Sequence, residues 1–212
     1  MWIPKFRFTL RDFHIKFSNP TPLFQSYLSE KMTKTLRLYG GAVTIQIPTL
    51  PILLDVSEFR QVPDSQEVHT STTGSTTLII ELLESQPPYH LESKNKDSRV
   101  DKQVDICLET HFWELATDNR ATRSQIKCIR DGILEGVQYV SKFAREQDAT
   151  SGISEVNLLI GVLDISRFQT QVLFTLSVSS DAALNGDQVI GIKQFTEIIG
   201  SFNLVDEDLF IH

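Results

Sequence analysis

The stretch EVNLLIGVLDISRFQTQVLFTLSVS, residues 155–179, decides the fold of this chain. Valine, isoleucine, leucine and phenylalanine dominate its two halves, and the short polar connection RFQT separates them. Two β-prone runs joined by a few turn residues predict a long antiparallel hairpin. Because both runs are almost continuously apolar, we place this hairpin at the centre of the sheet.

Shorter patterns extend the sheet on the N-terminal side. Residues 41–48, GAVTIQIP, alternate apolar and polar side chains, which predicts a half-buried strand that ends at Pro48. Residues 66–72, QEVHTST, predict another strand, and residues 76–85, TTLIIELLES, predict its hairpin partner across a turn at Gly74. Residues 124–143, SQIKCIRDGILEGVQYVSKF, are ambiguous, because the isoleucine and valine spacing suits a helix whereas GVQYVSKF alone could be a strand.

Two segments carry apolar residues at helical spacing. The first set, Val104, Leu108, Phe112 and Leu115, predicts a helix near 101–117. The second set, Val189, Ile192, Phe195 and Ile199, predicts a helix over 187–202. Strands with interspersed helices around one hydrophobic sheet predict the α+β class. At the C-terminus an acidic tail follows, which we expect Leu209 and Phe210 to anchor.

Length and charge limit the possible functions. A chain of 212 residues suits one domain, and no apolar run approaches the ~18 residues of a membrane-spanning helix. The first 31 residues hold five basic and two acidic side chains, a net charge of +3. Because the whole chain has a net charge of −7, the remainder has a net charge of −10. An acidic body repels phosphate backbones, so we expect a basic protein partner and no direct nucleic-acid binding.

The first 31 residues differ from the rest of the chain. MWIPKFRFTLRDFHIKF alternates aromatic and basic residues and lacks the long apolar core of a secretory signal. The methionines are Met1 and Met32, and Met32 stands just before the first convincing strand. We therefore interpret 1–31 as a disordered or untranslated extension, with Met32 as the start of a single domain over 32–212.

Signatures of cofactor or metal chemistry are missing from the sequence. No P-loop, dinucleotide fingerprint, nucleophile elbow or zinc motif occurs, so we expect no cofactor and no metal. Glu67 and His69 share a strand face and could supply half of a metal site, but an exposed strand face is the favoured interpretation. Cys107 and Cys128 lie in apolar patterns and are predicted to be core residues without a disulfide.

Residues 55–70, DVSEFRQVPDSQEVHT, combine a helix start with a proline turn. Asp55 is a good N-cap for a short helical turn over about 56–61, which must stop before Pro63. Asp64 and Glu67 follow the proline, three positions apart. They lack the neighbouring nucleophile and glycine loop of a catalytic site, so a solvated turn and a docking surface for a basic partner both stay open.

Several segments together resemble the Ran guanine nucleotide release factor family. In chain order they are LYGGAVTIQIP, LDVSEFRQVPDSQEV, LIIELLE, HFWEL, LDISRFQTQVLFTLSV and FNLVDEDLF. The resemblance runs from about Leu36 to Phe210, and VPDSQEV is its most specific part. It is loosest over 85–155, and residues 1–31 have no counterpart in the family.

The resemblance implies a fold and a function. The implied fold is an α/β/α sandwich with helices packed on a mostly antiparallel sheet of about six strands, shared with photosystem PsbP-like proteins. In that fold GVQYVSKF pairs as a strand with VNLLIGVLDI. The implied function is to bind the GTPase Ran, to promote release of its guanine nucleotide and to stabilise the nucleotide-free form. Such a protein would support nuclear protein import and act by binding, not as an enzyme.

The resemblance also implies a site, a setting and a partner. The residues that match the family's binding surface are Asp64 and Glu67, with Asp55, Arg60 and Gln66 alongside. The protein is expected to be a monomer in the nucleus and also the cytoplasm. It is expected to work with Ran, with or without a second Ran-binding protein, and without membrane attachment.

Three alternatives stay open at this point. An adaptor of the same fold would bind Ran or another partner without driving nucleotide exchange. A PsbP-like role in a photosynthetic lumen would need a bipartite transit peptide, for which 1–31 is too short and wrongly composed. An enzyme would need a closed pocket around Glu67 and His69.

Overall fold

A computed structural model describes residues 33–84, 97–141, 152–184 and 187–210. Ten strands and two α-helices occur within these ranges. In chain order they are β1 (Thr33–Leu38), β2 (Val43–Pro48), β3 (Leu53–Asp55), β4 (Gln66–Ser71), β5 (Thr76–Glu84), α1 (Asp97–Asp118), β6 (Arg123–Arg130), β7 (Ile133–Ser141), β8 (Ile153–Ile165), β9 (Thr170–Ser179), α2 (Ile192–Gly200) and β10 (Asn203–Leu204). The predicted extension over 1–31 lies outside the described residues.

The β8–β9 hairpin lies at the centre of a seven-stranded antiparallel sheet with the order β3-β4-β5-β9-β8-β7-β6. The central position predicted for this hairpin is therefore confirmed, and so is the α+β class. The large sheet has seven strands, close to the about six predicted, but the expectation of a single sheet is wrong, because β1, β2 and β10 form a separate three-stranded sheet. β3 spans only three residues, which is too short for a period-two pattern to reveal.

The described part of the ambiguous segment, 124–141, lies in the β6–β7 hairpin, and its helical interpretation is wrong. The two residues that connect the strands, Asp131 and Gly132, both have positive φ, at 53° and 71°. This is the backbone of a type I′ turn, whose twist matches that of the flanking strands. β7 then pairs with β8 over its whole length, so the strand pairing implied by the family resemblance is confirmed.

The two α-helices pack on opposite faces of the large sheet. α1 contacts β6, β7 and β8, and its Phe112 ring lies over Gly136 of β7. α2 contacts β8 and β2, with Ile199 over Gly161 of β8. A Cβ atom on Gly136 would lie 2.3 Å from Phe112 Cε2, and one on Gly161 would lie 2.4 Å from Ile199 Cδ1. Glycine at both positions allows the helices to approach the sheet closely.

Three further sequence predictions change in the structure. α2 begins at Ile192, because Gly191 has an extended backbone as the N-cap, and Val189 lies exposed before the helix. Cys107 is only half-buried on α1, beside the buried face that carries Leu108. Cys128 is exposed, because β6 is the outer strand of the sheet, and both cysteines are free thiols.

Candidate functional site

The connection Val56–Ser65 joins the outer strand β3 to β4, and we call it the β3–β4 connection. It begins with a short 3-10 helix, Val56–Glu58, for which Asp55 is the N-cap. The Asp55 carboxylate accepts a hydrogen bond from the Ser57 backbone N–H at 2.8 Å, so the predicted cap is confirmed. The connection ends in a turn that the Gln66 N–H closes by donating to the Pro63 carbonyl at 2.9 Å.

Apolar side chains fix the inner side of this connection. Val56 is buried against Val68 of β4 and Ile79 of β5, and Val62 packs against the same cluster. Because these contacts anchor both ends of the connection, its backbone is more restricted than that of a flexible loop. Its exposed residues are Ser57, Glu58, Phe59, Arg60, Gln61, Asp64 and Ser65.

Asp64 and Glu67 lie in different environments. Asp64 is exposed on the turn, whereas the Glu67 side chain on β4 is only 17% exposed. Glu67 Oε1 accepts a hydrogen bond from the backbone N–H of Tyr39. Burial raises the pKa of Glu67 most, the Tyr39 N–H bond lowers it, and the nearby Asp55 raises it. Glu67 is therefore a partly buried carboxylate with a fixed partner, and Asp64 offers its charge to solvent.

Tyr39, which was not among the residues predicted for this site, connects the small sheet to it. It lies in the turn between β1 and β2 with a φ of 51°, a left-handed conformation that is uncommon outside glycine. Its phenol O–H lies within hydrogen-bonding distance of two carbonyl oxygens, that of Ile80 at 3.0 Å and that of Ser65 at 3.2 Å. Burial, followed by the charges of Glu67 and Glu81, raises the Tyr39 pKa. Two glycines, Gly40 and Gly41, follow Tyr39 and are a local sequence signal for a turn, but no local signal predicts its contact with Glu67.

The expected exposed strand face at His69 is wrong, because His69 is only 2% exposed. Burial lowers the pKa of His69 to about 4, with a smaller opposing effect of Asp55 and a reinforcing one of Lys34. The 3.8 Å contact between His69 Nε2 and Glu67 Oε2 is therefore not an ion pair at neutral pH. Neither ring nitrogen has a hydrogen-bond partner. Among the described residues, no three His, Cys, Asp or Glu side chains converge to hold a metal ion.

The five residues predicted for the partner surface lie on or beside the β3–β4 connection. Asp64 and Arg60 are exposed, and Asp55 is half-buried. Gln66 is buried and Glu67 is partly buried, so these two face the protein more than solvent.

The structure also contains an open cavity of about 310 Å³ beside β7, which is four strands away from β4 in the sheet order. It lies between the β6–β7 turn and the start of α2, and its lining residues are Arg130, Asp131, Ile133, Ile192, Lys193 and Thr196. This cavity does not include Glu67 or His69, the pair that the enzyme alternative required. No helix in the described ranges is long and apolar enough to cross a membrane.

These features define an α+β protein with a helix on each face of a seven-stranded antiparallel sheet and a fixed, charged connection at one edge. Residues 36–179 match the family described as Ran-interacting Mog1 protein. The chain belongs to this family, which confirms the resemblance found in the sequence.

Known proteins of similar sequence and structure agree with this assignment. The Ran guanine nucleotide release factor of Danio rerio is 29% identical over 192 residues, covering 82% of this chain and 97% of the relative. The nuclear import protein mog1 of Schizosaccharomyces pombe is 27% identical over 154 residues, covering 67% of this chain and 75% of the relative. The crystal structure of the Saccharomyces cerevisiae Ran-binding protein Mog1p has a TM-score of 0.55 and 21% identity, covering 84% of this chain and 98% of that one. At that identity the structural likeness shows the fold.

Proposed function

We propose that this protein binds the GTPase Ran, promotes release of its guanine nucleotide and holds the nucleotide-free form, in support of nuclear protein import. Membership of the Ran-interacting Mog1 family supports the partner, and the names of the relatives support nucleotide release and nuclear import. The observation that carries the proposal is the exposed carboxylate of Asp64, presented on a connection that is capped, closed by a turn and packed from beneath.

A carboxylate held in this way can favour the empty state of a GTPase. Bound nucleotide and Mg²⁺ hold the switch segments in place, and the P-loop lysine pairs with the phosphates. Once the phosphates leave, Asp64 would pair with that lysine or with another basic group of Ran. Because a ligand shifts an equilibrium only by its difference in affinity for the two states, this contact must be stronger in nucleotide-free Ran.

The five candidate residues divide into two roles under this proposal. Asp64, Asp55 and Arg60 contact Ran. Glu67 and Gln66 position the connection, Glu67 through the backbone N–H of Tyr39. The partial burial of Glu67 supports a positioning role over a direct contact.

Release by binding forms and breaks no covalent bond, so the protein is an exchange factor and not an enzyme. We place it in the nucleus and the cytoplasm as a monomer, alone or with a second Ran-binding protein. The three-layer α/β/α description is supported by the helices on opposite faces of the large sheet.

The test measures release of labelled guanine nucleotide from preloaded Ran. Asp64→Lys should slow the stimulated release by about tenfold or more, because a charge pair becomes a like-charge repulsion. Glu109→Lys is the matched control, since Glu109 is exposed on α1 and the net charge changes equally. Glu67→Gln keeps an acceptor for the Tyr39 N–H and should retain more activity than Asp64→Lys.

Two outcomes would contradict this proposal. Unchanged release with a folded Asp64→Lys variant would remove Asp64 from the mechanism. Tight binding of the wild-type protein to loaded Ran without any loss of nucleotide would instead identify an adaptor.

A further inference from the structure

Phe59 is an exposed aromatic side chain on the β3–β4 connection. The residue is 55% exposed, although Val56 and Val62 of the same connection pack inward. The Phe59 N–H donates to the Val56 carbonyl at 3.0 Å, so the backbone that carries the ring is fixed. The small apolar cluster beneath is made by valine and isoleucine side chains, without Phe59.

The surroundings of Phe59 match the anatomy of a protein-protein interface. Interfaces have an apolar, often aromatic centre and a polar or charged rim. Glu58 and Arg60 flank Phe59 in the chain, and both are exposed. Asp64 is exposed on the same connection, six residues after Glu58.

The position of Phe59 next to an open sheet edge adds to this arrangement. β3 pairs with β4 on one side, and it is the outermost strand of the large sheet in the described chain. Ile52, directly before β3, is a second exposed apolar residue at 52%. The edge strand thus has an exposed apolar side chain just before it and another just after its 3-10 helix.

We propose that Phe59 is the apolar anchor of the Ran-binding surface and inserts into an apolar pocket on the GTPase that basic side chains surround. The inference rests on the proposed function, which supplies Ran as the occupant of this surface. Charge complementarity favours a mainly basic rim on the partner, because the three acidic side chains Asp55, Glu58 and Asp64 outnumber the one basic side chain, Arg60. An aromatic ring on a fixed backbone loses little conformational entropy on binding, which suits an anchor.

The anchor and the rim carboxylate should differ in their dependence on salt. Exposed charges act over distance and are screened by salt, so Asp64→Asn should mainly lower the association rate, and less so at high ionic strength. Burial of Phe59 is an apolar, short-range contact. Its loss should mainly raise the dissociation rate, by a factor that is nearly independent of salt.

The experiment measures association and dissociation of full-length protein with nucleotide-free Ran at low and high salt. Phe59→Ala should weaken binding by about tenfold or more, as expected when an interface anchor is truncated. Ile106→Ala is the matched control, because Ile106 is 65% exposed on α1, which packs on β6, β7 and β8 away from β3. Phe59→Leu, which keeps an apolar side chain, should recover part of the affinity.

The outcomes separate this inference from the function on which it rests. If Phe59→Ala binds like wild type while Asp64→Asn binds more weakly, the anchor is wrong and the proposed function stands. If wild-type protein neither binds Ran nor releases its nucleotide, the proposed function itself fails. A thermal unfolding scan of each variant accompanies the binding data. If Phe59→Ala unfolds, the Phe59→Leu variant decides. A Phe59→Leu variant that is as stable as wild type and binds Ran with the same affinity shows that the aromatic ring adds nothing, and this result counts against the anchor.

Discussion

Glu67 and His69 lie two residues apart on β4, and burial acts on both side chains against their charged forms. It raises the pKa of the Glu67 carboxyl and lowers that of the His69 imidazole to about 4. Asp64, only a few residues away, stays exposed. The site therefore places one carboxylate in water and the next in the protein, which separates a contact residue from a positioning residue.

His69 should make the stability of the protein depend on pH. The imidazole has a folded pKa of about 4 against an ordinary value of 6.5. Above pH 6.5 it is neutral in both states. Between pH 6.5 and 4 the unfolded chain binds a proton that the folded chain does not, so stability falls as the pH falls. At about 1.4 kcal/mol per unit, the total cost of this group is about 3 kcal/mol at pH 4.

His69→Phe should therefore stabilise the protein. At pH 7 the variant loses two buried nitrogen atoms that have no hydrogen-bond partner, a gain of about 1 kcal/mol. At pH 5 the gain should be larger, because the proton uptake of the unfolded state disappears as well. Urea unfolding at the two pH values measures this, and equal gains at both would contradict the low pKa of His69.

Gly136 and Gly161 determine how closely each helix approaches the large sheet. A Cβ at Gly136 would meet the Phe112 ring of α1, which is itself fully buried. Gly136→Ala should therefore cost about 1–3 kcal/mol of unfolding free energy, because the buried ring must shift in a packed core. Gly200→Ala is the matched control, since no atom lies within 4 Å of a Cβ built at Gly200 near the end of α2.

Chemical unfolding of the two glycine variants decides between them. Gly200→Ala should be neutral or slightly stabilising, because alanine is the better helix former. If Gly136→Ala is as stable as wild type, α1 has room to move, and its close approach to β7 does not contribute to stability.

Elements with a strong local signal could be predicted from the sequence. The β8–β9 hairpin, the Asp55 cap and the turn after Pro63 all follow from residues that are near each other in the chain. The β6–β7 segment could not be assigned, because its isoleucine and valine spacing fits a helix. Its pairing with β8, a strand some 20 residues later, decides the structure.

The site was predictable only in part for the same reason. The five candidate residues lie close together because they are close in the chain, and the sequence sufficed for that. The Glu67 carboxylate accepts its hydrogen bond from the backbone N–H of Tyr39, which is 28 residues earlier. No local pattern reports such a contact, and so the two carboxylates of the turn looked alike in the sequence.

At the scale of the whole molecule, the two ends of the described chain meet in the small sheet. β10 pairs with β2, and the Ser201 hydroxyl accepts a hydrogen bond from the Gln46 N–H at 2.7 Å. Side chains of β2 share the main core cluster with Phe195 and Ile198 of α2. The turn that holds Tyr39 against Glu67 therefore belongs to a sheet that the C-terminal segment completes.

This arrangement predicts where the chain can be shortened at its N-terminus. Removal of residues 1–31, so that the protein starts at Met32, should leave two properties unchanged: the unfolding temperature and the stimulated release of nucleotide from Ran. The reason is that the family match begins at residue 36 and β1 begins at Thr33. Removal of residues 1–38 should destabilise the protein severely. It deletes all six residues of β1 that pair with β2, including the fully buried Leu38, and it converts the Tyr39 N–H into a chain terminus.

Thermal unfolding and nucleotide-release assays of both truncations test this prediction. For a domain of this size a loss of 1 kcal/mol lowers the unfolding temperature by about 2–4 °C, so the loss of one strand is easily measured. If the shorter truncation already lowers the unfolding temperature or slows nucleotide release, residues 1–31 take part in the fold or in Ran binding. The domain boundary at Met32 would then be wrong. Residues before Tyr39 would also support the site, in addition to the contact between Tyr39 and Glu67.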